Sequence, residues 1–181
     1  MKTFLRFLSG FFFCLFVFQN ANAQARATQN VLNTKPFIEI DVAGSSGTYN
    51  GQAYTEMHLG LNLNFNEYLT WRNAAFKRFG STTAQETTGL DTSLRFGLDN
   101  KFDGGSVNLF AGPGYRFTSP SDKSALFAEA GATLHLGGLS VGAGAKYLRY
   151  DQAQYDSIGN KTNPDDLNYF ITIAGGAGAS F

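Results

Sequence analysis

Cysteine is almost missing from this chain. Its one cysteine, Cys14, sits in the first apolar run, so neither a disulfide framework nor a cysteine-ligated metal site can form. An excess of one charge is missing too, since fourteen basic residues face fourteen acidic ones. That balance lacks the basic footprint of a nucleic-acid binder, and no nucleic acid is expected as a partner. Long hydrophobic runs are scarce. Leu8 to Phe18, broken by Ser9 and Gly10, falls short of the ~20 apolar residues a spanning helix needs. Charged residues make up only 15% of the chain, thin for a domain with a fully solvated surface.

What is present begins with a leader. Lys2 and Arg6 form a basic start, the apolar run follows, and Ala21-Asn22-Ala23 supplies the small-x-small pattern of a signal-peptidase site. Residues 1–23 therefore read as a cleaved signal peptide, with the mature chain starting at Gln24. Cys14 lacks the small-residue context of a lipid-attachment site. Residues 24–34 read as a polar lead-in, and 35–181 suits one domain. Losing Lys2 and Arg6 leaves a slight acidic excess.

Period-two alternation dominates the rest. From Thr55 to Phe65 the odd positions are Thr55, Met57, Leu59, Leu61, Leu63 and Phe65, and the even ones are Glu56, His58, Gly60, Asn62 and Asn64. Segment 90–98 sets Leu90, Leu94 and Phe96 against Asp91, Ser93 and Arg95. Segment 126–136 sets Leu126, the alanines and Leu134 against Phe127, Glu129 and His135. Successive side chains of a strand point to opposite faces, so each segment has an apolar and a polar side. Five more segments fit: 36–43 (Ile38, Ile40), 68–78 (Leu69, Trp71), 106–117 (Val107, Leu109), 139–149 (Leu139, Val141) and 168–181 (Ile171, Ile173). Segment 68–78 is the weakest, because Asn73 and Lys77 fall on its oily face.

Connections alternate in length. Asn66-Glu67, Gly137-Gly138 and the Asp99–Gly105 region are short, whereas 44–51, 79–87, 118–124 and 150–166 are longer and polar. A closed sheet with tight turns at one end and loops at the other can cross a membrane without any hydrophobic run, because closure satisfies every backbone group. The expected fold is all-β: an eight-stranded antiparallel up-and-down transmembrane β-barrel. An even strand count places both ends on the periplasmic side.

At this point the chain resembles the small eight-stranded outer-membrane barrels, the group containing the OmpA transmembrane domain and OmpX. The resemblance covers about 35–181 and rests on the strand pattern, the turn–loop alternation and the terminal Phe181. It implies the outer membrane of a Gram-negative bacterium as location. It also implies that Phe181 forms part of the signal read by the barrel-assembly machinery, although Ala179 stands where a bulkier residue is usual. A secreted soluble barrel of the lipocalin kind would alternate too, with its apolar face inward. The polar face here holds Gly, Asn, Ser and Thr between isolated charges, too bland for a solvated surface. Phe65, Trp71, Phe117, Tyr147 and Tyr169 lie on the oily face at or near segment ends, as interfacial girdles require.

Parity then assigns the faces. Ile38, Ile40, Leu59, Leu61, Leu63, Leu94, Phe96, Leu134, Ile171 and Ile173 should meet lipid. Glu39, Asp41, Glu56, Asp91 and Glu129, with Arg72, Arg95, Arg116 and Lys146, and with His58 and His135, should form a lumen network of ion pairs. Arginines are expected to bridge carboxylates. Inward glycines either make room for long arginines and for Phe110, Phe127 and Phe170, or leave a water path. Pro113 cannot donate to a ladder and predicts a bulge or bend in its strand. His135 and Ser140 suggest a lipid A-modifying enzyme as a distant alternative, but parity aims His135 inward. The reading is a non-enzymatic monomer with no cofactor or metal. Its partners are outer-membrane lipid and lipopolysaccharide, its role is structural or surface interaction, and a small pore is the alternative.

Overall fold

The computed structural model describes residues 37–49, 52–66, 68–80, 86–153, 158–159, 161 and 165–175. The expected leader (1–23), the lead-in (24–34) and the terminal Phe181 lie outside the described residues. Eight strands follow in chain order: β1 (Phe37–Tyr49), β2 (Gln52–Asn64), β3 (Leu69–Phe79), β4 (Thr87–Phe102), β5 (Gly105–Ser119), β6 (Ala125–Leu136), β7 (Leu139–Tyr150) and β8 (Asp165–Gly175). Each pairs antiparallel with its sequence neighbour, and β1 pairs with β8 to close the barrel. Following partners round the wall, Phe37 leads through Asn64, Thr70 and Arg95, then level with Gly112, through Glu129, Lys146 and Asn168 to Gly47, a displacement of ten residues per circuit. Stagger of this kind is what tilts barrel strands by about 35–45°.

Turn chemistry sets the short connections. Asp103-Gly104 and Gly137-Gly138 make two-residue turns in which Gly104 (φ 89°) and Gly137 (φ 64°) occupy the left-handed region. After β2, Asn66 Oδ1 accepts from the backbone N–H groups of Tyr68 and Leu69, both at 2.8 Å, which turns the chain into β3. The strands outrun the alternating segments at several ends. Residues 44–49, read as loop, continue β1 and pair with β2 up to Tyr49↔Gln52. Small polar residues on both faces hide that extension from a hydrophobic pattern. Of the bulge or bend expected at Pro113, the bulge is absent: the β4–β5 register is the same on both sides, and pairing lapses between Ser93↔Gly114 and Phe96↔Ala111. There the backbones approach so closely that a Cβ on Gly112 would lie 1.8 Å from the Leu94 carbonyl oxygen.

Glycine and ring alternate across the inner wall. Phe76 sits opposite Gly89, Phe110 opposite Gly131, Phe127 opposite Gly114, Phe170 opposite Gly144 and Tyr54 opposite Gly47. In each pair the ring occupies the space a side chain on the glycine would need; a Cβ on Gly114 would meet Phe127 Cζ at 2.3 Å. Of the two roles open to the inward glycines, these take the packing one. At these five positions the rings thus seat directly against the wall.

Candidate functional site in the lumen

The wall is inverted relative to a water-soluble protein. Leu59, Phe96 and Ile171 expose 60%, 59% and 62% of their surface, while Asp41, Glu56, Asp91 and Arg116 expose 1% or less. Ile40, Leu61, Leu94 and Leu134 are likewise exposed on the outside, and Ile38, Leu63 and Ile173 are half-buried there. Phe65, Trp71, Phe117, Tyr147 and Tyr169 also face out.

In the outer half of the lumen, toward the long loops, Glu56 is a hub. It accepts from Arg78 Nε (2.8 Å), Arg116 Nη1 and Nη2 (2.8 and 3.0 Å), Ser45 Oγ (3.2 Å) and Asn168 Nδ2 (3.1 Å), and His58 Nε2 lies 3.1 Å away. The Arg116 guanidinium also grips Asp91 with Nε (2.7 Å) and Nη2 (2.8 Å), so one planar fork spans two carboxylates. Lys146 Nζ adds a third cation at 2.6 Å from Asp91. Above them Tyr54 and Tyr150 donate to Asp166, and Arg78 donates to Tyr150 Oη at 3.0 Å. Rings carry the cations: Arg78 lies 3.8 Å over Tyr54, Arg116 4.0 Å over Phe76 and Lys146 4.4 Å over Phe127.

The half toward the short turns uses separate pairs. Arg72 holds Asp41 with two bonds of 2.9 and 2.6 Å; Arg95 holds Glu129 with bonds of 2.8 and 3.0 Å, and Ser93 Oγ joins at 2.6 Å. Nearer the mouth His135 Nδ1 lies 2.7 Å from Ser140 Oγ, which donates to Glu39 at 3.4 Å. Here serine, not histidine, sits between the other two groups, the wrong order for a base that activates a hydroxyl. Between the halves is a cavity of about 10 Å³, the room of one water, bordered by His58, Arg72, Arg95, Glu129, Lys146 and Asn168.

All eleven expected lumen residues therefore point inward, but they divide into the cluster toward the long loops, the two pairs toward the short turns and the mouth group. Sequence reading missed Arg78, Tyr54, Tyr150 and Asp166, which extend the network to the outer rim. Arg78 shares the parity of Arg72 and could have been found from it. Tyr150 and Asp166 lie in the stretch read as loop, and Tyr54 falls between the 44–51 loop and the segment that starts at Thr55. Lys123, in the short 3-10 turn Ser121–Lys123, is buried, and that burial pushes its ammonium below the ordinary lysine range, with Asp122 opposing.

A closed antiparallel barrel of eight strands with an oily exterior and a charged interior defines the class: the architecture of small transmembrane barrels. Two solved structures share it. One is a de novo designed transmembrane β-barrel, 14% identical, with a TM-score of 0.51 over 77% of this chain and 93% of that one. The other is the crystal structure of Neisserial surface protein A (NspA), 9% identical, with a TM-score of 0.52 over 78% of this chain and 96% of that one. No protein-family model matches the chain, and no curated protein matches it in sequence.

Proposed function

We propose that this protein is an integral outer-membrane barrel, exported through a cleaved signal peptide, with a structural or surface-interaction role and a lumen plugged by its ion-pair network. The observation that carries this reading is the inversion of the wall: a predominantly apolar exterior of Leu, Ile, Phe and Ala around a core that holds Glu56, Asp91 and Arg116 almost free of solvent. Water around that exterior would strand a large apolar surface, whereas hydrocarbon would not. Lys77 and Arg149 project outward near the outer rim, where they suit the phosphates of lipopolysaccharide. Phe181 is proposed to guide assembly, as the resemblance implies.

The test is membrane fractionation followed by SDS gel mobility with and without boiling. A barrel should sediment with the outer membrane and migrate differently unheated; a water-soluble product without that shift overturns the reading. Planar-bilayer conductance tests the plug separately. Rings facing glycines and paired charges leave little free lumen, so steady large openings would establish a pore instead. A lipid A mass shift on expression would establish an enzyme.

A further inference from the structure

Asn73 is out of place on the outer wall. It is the third of the six outward residues of β3, between Trp71 and Ala75, and its cross-strand neighbours are Leu61 on β2 and Thr92 on β4. Leu61 and Leu94 beside it are 41% and 43% exposed, so it lies within the apolar band and not at its rim. Trp71 Nε1 donates to Thr92 Oγ1 at 2.9 Å and so satisfies its own polar atom. The half-buried Asn73 amide makes no side-chain hydrogen bond to any described residue. Left against acyl chains, an amide keeps both a donor and an acceptor unpaired, and hydrocarbon offers neither.

We propose that the wall of β3 and β4 around Asn73 docks a second copy of this chain about a two-fold axis. The amide argues for the occupant: a carboxamide is self-complementary, so two asparagines facing across a two-fold each donate to the other's oxygen. An isologous contact brings a residue opposite itself. Ala75 and Thr92 beside Asn73 are small, while Trp71 and Leu61 on its other sides supply apolar contact area for the second wall. The sequence reading expects a monomer, and Asn73 enters it only as a mark of the weakest segment, 68–78. This inference rests on the membrane-spanning reading above.

The test uses the full chain, expressed in outer membranes in a Cys14→Ser background. Ala75→Cys, the next outward residue of β3 with Asn73 left intact, is compared with Ala143→Cys on the distant β7 wall under mild oxidation. Cross-linked homodimer is expected from Ala75→Cys alone. Equal cross-linking at both positions, cross-linking at neither, or a product with the mass of a different protein overturns the proposal. In detergent, sedimentation should show a dimer for the parent chain, about tenfold weaker self-association for Asn73→Leu, and retention by Asn73→Gln. A dimer unchanged in Asn73→Leu overturns it as well. Heat-modifiable mobility of every sample separates the two readings: a monomer that still shifts on boiling defeats only the dimer, and one that neither shifts nor sediments with membranes defeats both.

Discussion

Glu56 in the half of the lumen toward the long loops is shared among Arg78, Arg116, His58, Ser45 and Asn168, whereas Asp41 in the half toward the short turns is held by Arg72, and Glu129 by Arg95 with Ser93. Both halves bury similar charges at similar distances, yet they distribute them differently. In a shared cluster the loss of one member leaves several groups without their counter-charge in a poorly hydrated space. In a separate pair the loss strands one group only, and the pair can be exchanged for apolar residues as a unit.

Substitutions can break this contrast. The largest effect is expected from Glu56→Ala, about 5 kcal/mol of lost stability, since two guanidiniums lose a common acceptor. Urea unfolding from lipid vesicles would measure it. Next, Arg72→Met should cost about 3 kcal/mol, and adding Asp41→Leu should recover most of that loss. A double mutant no better than the single would mean that Asp41 belongs to a wider network. Gly114→Ala should cost about 1–3 kcal/mol by driving Phe127 from its seat, with Phe127→Leu relieving part of it. The smallest change should come from Thr92→Val on the outer wall, about 1 kcal/mol or less. Its readout is the emission of Trp71, the chain's one tryptophan, which should shift when its hydrogen bond is lost.

The strand count, the faces and the inward set were legible because bilayer and lumen impose opposite demands on alternate residues. Leu59, Leu61 and Leu63 against Glu56, His58 and Asn62 carry that signal in the bare sequence. It fades where the wall leaves the apolar zone. Ser45, Ser46, Gly47 and Thr48 are strand, yet nothing in their polarity separates in from out. Tyr54 and Asp166 were lost for the same reason. Pairing was not legible at all: Arg116 reaches Glu56, 60 positions away, only because the stagger brings β2 and β5 to a common level across the lumen. The ring-to-glycine packing was half visible: Phe110, Phe127 and Phe170 stood out as inward rings among glycines, but their register did not, and Phe76 and Tyr54 carried no such signal.

The join between β1 and β8 has a kinetic consequence. It matches Ile40–Gly47 with residues 168–175, the longest separation in the sheet, while every other pairing unites neighbours along the chain. Hairpins can therefore form early and locally, but the ring closes only when the first strand meets the last. Until then two rows of backbone amides and carbonyls lie open at the sheet's edges, a state that lipid does not tolerate. Insertion and closure must accordingly be coupled, and the half-built sheet should be the species most prone to aggregate.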